Sequence, residues 1–284
     1  MSAVEVRELS KNTFKNQIIY KTMTNEIITI QPTALEVLNK SEIDVQISTA
    51  KAYPRDVAAS LQRIGALAML DEDVAAECFY KLKRGSGDNA SYIEGVSVRL
   101  AEIIAKEWGN IRVQSRIIGN DGKKITSQGI CHDLESNYAA SVTVERRITD
   151  KYGKTFSEDM QVVTGNAANA IAFRNAVLKV VPAAVTKKIV DEIKRKALGQ
   201  TSELPERRQK MFAAFAKLRV SKEQIFDYLS VQSAEEIDME RVLTMLGAFQ
   251  AIKEGTTTVE ETFGKKAPQS LAEKAVQQQE QTLL

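Results

Sequence analysis

One segment of the chain, residues 111–149, constrains the fold more than any other. Residues 111–117 place Ile, Val, Ser and Ile on one side and Arg, Gln and Arg on the other, which is the period of a β-strand. Residues 120–122, Asn-Asp-Gly, are a strong hairpin signal. A second strand is predicted at 124–132, a third at 139–149, and the pattern leaves room for a short fourth. The segment therefore predicts an antiparallel meander of three to four strands with one basic, solvent-facing side.

Helical patterns flank this meander on both sides. Before it, helices are predicted from Pro54, from Asp71 as a cap through Glu77, and over 96–108. After it, residues 167–181 are apolar on several sides, which favours a long helix buried across the sheet. A further amphipathic helix runs from Pro182 to the glycine at 199. The predicted fold class is α+β: an antiparallel meander crossed by a long helix, with a small C-terminal helical module.

The sequence divides into four segments. They are a partly ordered N-terminal segment (1–50), a core that contains the predicted meander (51–199), a helical C-terminal module (205–263) and a polar, Gln-rich tail expected to be disordered (264–284). The N-terminal segment carries one strand-like run, Ile27–Ile30. In the C-terminal module, Ser221 and Gln224 have the spacing of a capping box that opens its second helix.

Charge is distributed unevenly along the chain. Residues 79–199 hold 20 Lys and Arg against 13 Asp and Glu, whereas the rest of the chain holds 19 against 24. A basic middle between acidic flanks predicts an anionic partner for the middle, although surface charges also segregate without a partner.

The few cysteines and histidines of the chain exclude two kinds of site. Cys78, Cys131 and the single histidine, His132, cannot build a disulfide framework or a zinc site of the usual spacing. No apolar run approaches the roughly 18 residues that a membrane span requires, and the N-terminus lacks the pattern of a signal peptide. We therefore expect a reducing, cytoplasmic location and no membrane partner.

Three motifs in the basic middle resemble the single-strand annealing proteins, the phage Red-beta and RecT type and the eukaryotic recombination mediators that share their β-β-β-α core. The motifs are Tyr92-Ile93-Glu94-Gly95 with the following helix that ends at Trp108-Gly109, the strand Ser141–Arg147 followed by Gly153-Lys154 and Glu158-Asp159, and the Ala-rich helix 170–179. The resemblance covers about Tyr80 to Gly199.

The resemblance implies a function and a set of partners. It implies ATP-independent binding of single-stranded DNA and annealing of complementary strands in phage-type homologous recombination, with no cofactor and no catalytic residue. The implied partners are single-stranded DNA, the annealed duplex, further copies of the chain in a ring or helical filament, a single-strand-binding protein and a phage exonuclease. The implied location is the cytoplasm of a bacterial host.

Ten basic side chains are candidate DNA contacts. Those on the predicted meander and its turns are Arg112, Arg116, Lys123, Lys124, Arg146, Arg147 and Lys154, and the resemblance adds Arg99, Arg174 and Lys179 on the helices. A basic side chain in an apolar helix needs a partner, either a carboxylate such as Glu94 or Glu102 or a phosphate. Arg174→Ala is therefore expected to weaken DNA binding and leave the fold intact. Tyr80, Tyr92 and Tyr152 are candidates for stacking on bases or, alternatively, core residues.

Competing functions make different demands on the sequence. Gly153-Lys154-Thr155 is not a phosphate-binding loop for ATP, because Ile148 stands where the pattern requires glycine. A metal-dependent nuclease would use Asp133 with Glu135 or Glu145, although turn carboxylates and partners of Arg146 explain the same residues. The remaining alternative is a structural, self-assembling protein whose basic belt mediates assembly.

Overall fold

The computed structural model describes residues 18–21, 27–30, 34–85, 91–150, 152–198 and 203–264. The chain divides into two compact units, residues 1–54 and 55–284. In the first unit, β1 (Ile18–Lys21) pairs antiparallel with β2 (Ile27–Ile30), and helix α1 spans Ala34–Ala52. The strand predicted at 27–30 is present, whereas β1 and α1 were not predicted. The tail predicted to be disordered lies beyond Gly264, outside the described residues.

Nine of the ten described helices and five strands belong to the second unit. In chain order they are α2 (Val57–Ala68), α3 (Glu72–Glu77), β3 (Phe79–Arg84), β4 (Ser91–Val96), α4 (Val98–Trp108), β5 (Ile111–Asn120), β6 (Lys124–Asp133), β7 (Tyr138–Arg147), α5 (Glu158–Val180), α6 (Ala183–Leu198), α7 (Leu204–Lys217), α8 (Lys222–Leu229), α9 (Met239–Lys253) and α10 (Val259–Phe263). The α+β class is confirmed.

The predicted meander is a three-stranded antiparallel sheet in the order β5-β6-β7. Burial alternates strictly along the central strand, so that Ile125, Ser127 and Cys131 are buried and the residues between them are partly exposed. Helix α5 crosses the buried face. At Gly129 a Cβ atom would lie 2.1 Å from the carbonyl oxygen of Ala172, so the helix backbone rests directly on the strand. Only glycine permits this approach.

Two boundaries differ from the sequence prediction. Helix α5 begins at Glu158, nine residues before the predicted start, and Thr149 forms only an isolated bridge with Thr155 where a fourth strand was allowed. Glu158 and Asp159 in the first turn favour the early start through the helix dipole. Helix α2 begins at Val57, because the carboxylate of Asp56, rather than Pro54, caps it by accepting from the Ala59 N–H.

Other local signals hold as predicted. The side chain of Asp71 accepts from Val74 N–H at 2.7 Å and caps α3. Ser221 and Gln224 form the predicted capping box at α8. The Tyr-Ile-Glu-Gly motif, for which no element was predicted, forms β4, which pairs antiparallel with β3. The motif therefore leads into α4 as a strand, and Ser97 caps that helix through the Leu100 N–H.

Two apolar clusters fill the second unit. One gathers α2, α4 and α6 around Leu100, Ile104 and Ile193, and the other gathers the C-terminal helices around Phe215. Helix α9 lies against β3, where a Cβ on Gly247 would come within 2.7 Å of the Lys81 backbone nitrogen. The division into a core at 51–199 and a module at 205–263 stays a prediction. No single helix among the described residues is long and apolar enough to span a membrane; α5 and α6 qualify only as a pair bent by 117°.

The contact at Gly129 yields a stability prediction. Gly129→Ala places a methyl group inside the α5 backbone, and we expect this overpacking to cost about 3 kcal/mol of the free energy of unfolding. Gly119→Ala is the matched control in the neighbouring strand, since its Cβ would meet Thr126 at an ordinary 3.8 Å. Urea unfolding followed by circular dichroism measures both, and equal midpoints would contradict the close contact.

Candidate nucleic-acid interface

Four basic side chains share the sheet face opposite α5. They are Arg112 and Arg116 of β5, Lys124 of β6 and Arg147 of β7, and the strand register places all four on that face. Lys124 lies directly opposite Arg147, and Arg116 lies opposite Gln128. We call this surface the polar face. Of the four, Lys124 and Arg147 are directly opposed, about 5 Å apart. Arg116 and Arg112 lie opposite residues four and eight positions farther along β6, so the positive charges are spread over roughly 26 Å of the face.

One acidic side chain shares the polar face within the described residues of its three strands. Glu145 accepts a hydrogen bond from Lys124 Nζ at 2.7 Å, which raises the pKa of that lysine. The pair is exposed on both sides, so solvent and salt screen it. Arg116 donates to Gln128 at 3.2 Å, and Arg147 is exposed. The polar face therefore retains net positive charge.

The hairpin end of the sheet adds two lysines and a tyrosine. Thr155 Oγ1 donates to the carbonyl oxygen of Gly122 at 2.9 Å, which fastens the turn after β7 to the β5–β6 hairpin. This contact brings Lys123 and Lys154 to the same end of the sheet, both exposed. Tyr152, in the same turn, is 81% exposed. The structure thus brings together one of the three candidate tyrosines and six of the ten candidate basic residues.

Two aspartates fix the backbone of these turns. Their carboxylates accept hydrogen bonds from backbone N–H groups of the turns. The Asp121 carboxylate accepts from the backbone N–H groups of Lys124 and Lys123, and these bonds lower the pKa of Asp121. Asp150 accepts in the same way from the N–H groups of Tyr152 and Lys154. Both are side-chain turns that fix the backbone. The backbone of the turns is therefore fixed, and the lysine side chains that it carries are exposed to solvent.

The structure does not bring Arg99, Lys179 and Arg146 to the polar face. Arg99 and Lys179 are exposed on helices α4 and α5, and Arg99 lies 3.8 Å from Glu102. Arg146 points to the helix side of the sheet, where it donates to the carbonyl oxygens of Gly255 and Thr256. Their assignment as DNA contacts stays a prediction that the polar face does not support.

Arg174 is buried and lies against the half-buried ring of Tyr80. The Arg174 side chain is 8% exposed, its guanidinium lies 5.0 Å from the centre of the Tyr80 ring, and its Nη1 is 3.8 Å from Glu254 Oε2. Of the two predicted carboxylate partners, Glu94 pairs with Lys194 at 2.5 Å and Glu102 lies 3.8 Å from Arg99, so neither is the partner of Arg174. Tyr92 is partly exposed on β4 beside Lys81. Sequence reasoning missed Glu254 because it stands 80 positions from Arg174 and carries no local signal.

The Glu254 side chain, at the end of α9, contacts residues of α4, α5 and α9. Its Oε1 accepts from the Val98 N–H at 2.7 Å, at the N-terminus of α4, and from Gln250 Nε2 at 2.9 Å. Burial raises the pKa of Glu254, although the hydrogen bonds from Gln250 and Val98 and the charge of Arg174 oppose this rise. The carboxylate is therefore held through Oε1 by hydrogen bonds, one of them at the N-terminus of α4, while Arg174 acts on Oε2 through charge at 3.8 Å.

The two carboxylates of the nuclease alternative share an arginine. Arg55 Nη1 lies 2.7 Å from Asp133 Oδ2, and Arg55 Nε lies 3.2 Å from Glu135 Oε1. The Arg55 guanidinium also lies 4.9 Å from the centre of the Trp108 ring. Burial alone would raise the pKa of Asp133, but the hydrogen bonds from Arg55 and from the Ser136 and Glu135 N–H groups outweigh it and hold that pKa low. Within the described residues, no three or more His, Cys, Asp or Glu side chains cluster as metal ligands would.

Neither described cysteine is activated for nucleophilic chemistry. Burial raises the pKa of both Cys78 and Cys131 to about 12. The thiols are therefore protonated near neutral pH and function as small apolar core residues. His132 lies on the polar face and is hydrogen-bonded through Nε2 to Asn137 Oδ1 at 2.9 Å.

A cavity of about 560 Å³ lies between α3, α7 and α9, away from the sheet. Its floor is apolar and includes Met211, Phe215 and Leu246, and its rim carries five carboxylates, among them Glu72 and Glu206, against two basic side chains. A polyanion would be repelled there, so the cavity does not extend the basic surface.

Arg174→Ala is now expected to destabilise the protein. Removing the guanidinium leaves the Glu254 carboxylate buried without its charge partner, which we expect to cost about 3 kcal/mol. Lys179→Ala, exposed on the same helix, is the matched control and should change the unfolding free energy by less than about 0.5 kcal/mol. Equal urea midpoints for the two variants would contradict the internal role of Arg174.

Arg55→Met tests the buried ion pair through its pH dependence. A lowered pKa means that Asp133 stabilises the fold above its ordinary pKa and loses this contribution as pH falls through the folded-state value. We expect a loss of about 3 kcal/mol at neutral pH that shrinks in acid, as Asp133 becomes protonated. Arg63→Met is the control, since Arg63 is half-exposed beside Glu107 and should cost less than about 1 kcal/mol. A deficit that is constant from neutral to acidic pH would contradict this account.

Comparisons with known proteins found no relative of this chain. No protein-family model, no curated protein and no solved structure matches the chain. The geometry of the polar face and the resemblance of the three motifs therefore carry the functional argument.

Proposed function

We propose that the protein binds single-stranded DNA along the polar face and anneals complementary strands without a nucleotide cofactor. The observation that carries the proposal is the placement of Arg112, Arg116, Lys124 and Arg147 on one sheet face, opposite the face that α5 covers. Lys123 and Lys154 prolong the positive surface at the hairpin end. The resemblance of the three motifs to annealing proteins points to the same activity.

The chemistry of this face suits a phosphate backbone. Basic side chains gain binding free energy by releasing the counterions of the strand, whatever its sequence. Between them, Gln128, Ser141 and Thr143 supply uncharged donors and acceptors on the same face. Such contacts position a strand without reading its bases. A strand held by its phosphates keeps its bases available for pairing with a second strand.

Annealing forms no covalent bond, so positioning and charge neutralisation are sufficient. The bound strand loses much of its electrostatic repulsion toward an incoming complement, and pairing supplies the driving force. Side-by-side assembly into a ring or filament, as the resemblance implies, would join the polar faces of many copies and multiply weak contacts. A single-strand-binding protein and an exonuclease are the protein partners that the same resemblance implies.

Strand annealing measures the proposed activity directly. Two complementary oligonucleotides with a fluorophore and a quencher are mixed with the protein, without nucleotide and with EDTA. We expect acceleration that weakens as salt rises from about 50 to 200 mM. Acceleration that depends on ATP or a divalent cation would contradict the proposal, and so would the absence of both annealing and DNA binding at low salt.

Lys123→Ala with Lys154→Ala tests the position of the interface. Both lysines are exposed on turns whose backbones are held by aspartates, so the fold should be unaffected. We expect the slope of log K against log salt for single-stranded DNA to become less steep by about 0.7 for each lysine removed.

Lys196→Ala with Lys217→Ala is the matched control for charge, since both lysines are exposed on helices away from the sheet. The control should keep the wild-type slope. Equal slopes for both double variants would place the interface elsewhere, and Arg99→Ala with Lys179→Ala would then test the helix side.

A further inference from the structure

Five large apolar side chains are exposed at the hairpin end of the sheet. Each is at least 47% exposed, although large apolar residues are usually buried. They are Ile117, Ile118, Met160, Val162 and Val163. We call them the apolar patch. Exposed apolar surface on this scale marks a binding surface more often than an isolated exposed residue does.

The patch lies where the end of β5 crosses the first turns of α5. The Cδ1 atom of Ile117 is 2.9 Å from the position of a Cβ on Gly165, so the strand and the helix are in contact there. Asn120 Nδ2 donates to Gln161 Oε1 at 3.3 Å and holds the two elements together. Ile118 falls at the register shift between Ile117 and Gly119, and such a bulge redirects a side chain away from the sheet.

Charge differs on the two sides of the patch. Arg116 precedes Ile117 in β5 and extends from the opposite, polar face, and Lys123 and Lys124 follow in the hairpin, whereas Glu158 and Asp159 stand in the first turn of α5, directly before Met160. A polyanion is attracted to the first side and repelled from the second. A nucleic-acid strand at this end would therefore place its phosphates over the hairpin and its bases toward the patch.

We propose that the apolar patch receives unpaired bases of a DNA strand whose phosphates lie on the adjoining lysines and arginine. This inference rests on the proposed function, since it requires DNA on the polar face. Isoleucine, methionine and similar side chains contact the faces of bases in other nucleic-acid complexes. In a duplex those faces are stacked and the pairing edges are occupied, so the patch favours single strands. Bases farther along the polar face stay free to pair.

The test compares an oligothymidine with an abasic oligonucleotide of equal length and equal phosphate charge. The variants are Ile118→Ser and Val162→Ser, which change exposed side chains. The matched control is Leu70→Ser, since Leu70 is 70% exposed in the same unit and far along the chain from the patch. Fluorescence anisotropy measures each affinity, and sedimentation velocity measures the assembly state of each variant.

We expect the wild-type protein and Leu70→Ser to bind oligothymidine about fivefold or more tightly than the abasic strand. Ile118→Ser and Val162→Ser should lose most of this preference while binding the abasic strand as the wild type does. Equal wild-type affinity for both oligonucleotides would contradict the binding of bases by the apolar patch and would leave the proposed function unaffected. Patch variants that change assembly but keep the base preference would contradict that binding as well, and would assign the patch to a contact between copies. Binding of neither oligonucleotide would overturn the proposed function itself.

Discussion

The contact between the backbones of β6 and α5 at Gly129 determines how the sheet can be used. Because no side chain separates them, α5 lies flat on one face of the meander and buries it along its whole central strand. A three-stranded sheet has only two faces, and this contact assigns one of them to the core. Every basic residue of the meander is then either internal or external according to the parity of its position.

Because side chains alternate between the two faces of a strand, the adjacent residues Arg146 and Arg147 have different roles. Arg147 extends from the polar face opposite Lys124, whereas Arg146, one position earlier, donates to carbonyl oxygens of the turn after α9. Arg174 is likewise internal, next to Glu254 of that same turn. The end of α9 is thus attached to β7 by Arg146 and to α5 by Arg174. A mutation of either arginine that weakened DNA binding would have to be separated from a loss of this attachment by measuring stability as well.

The sequence pattern was sufficient for the sheet and its polar face, because a period of two residues identifies both a strand and its exposed side. It was not sufficient for the partners of buried charges. Arg55 and Asp133 are 78 positions apart and Arg174 and Glu254 are 80 apart, so no local pattern relates them. The early start of α5 was missed for a related reason: Val162 and Val163 are exposed, and apolar periodicity identifies a helix only where its apolar residues are buried.

A protein that anneals DNA must bind a strand and later release it so that it can pair, and the polar face suits such reversible binding. Its cations are exposed or half-buried, so a phosphate bound by one of them would be screened by solvent and held weakly. Tight binding then has to come from the number of contacts, which adjacent copies can supply. A deep cationic pocket would bind each phosphate more tightly but would release it slowly. An open sheet that carries its basic residues along its length therefore suits the proposed function, in which a strand is bound along many residues and then released to pairing.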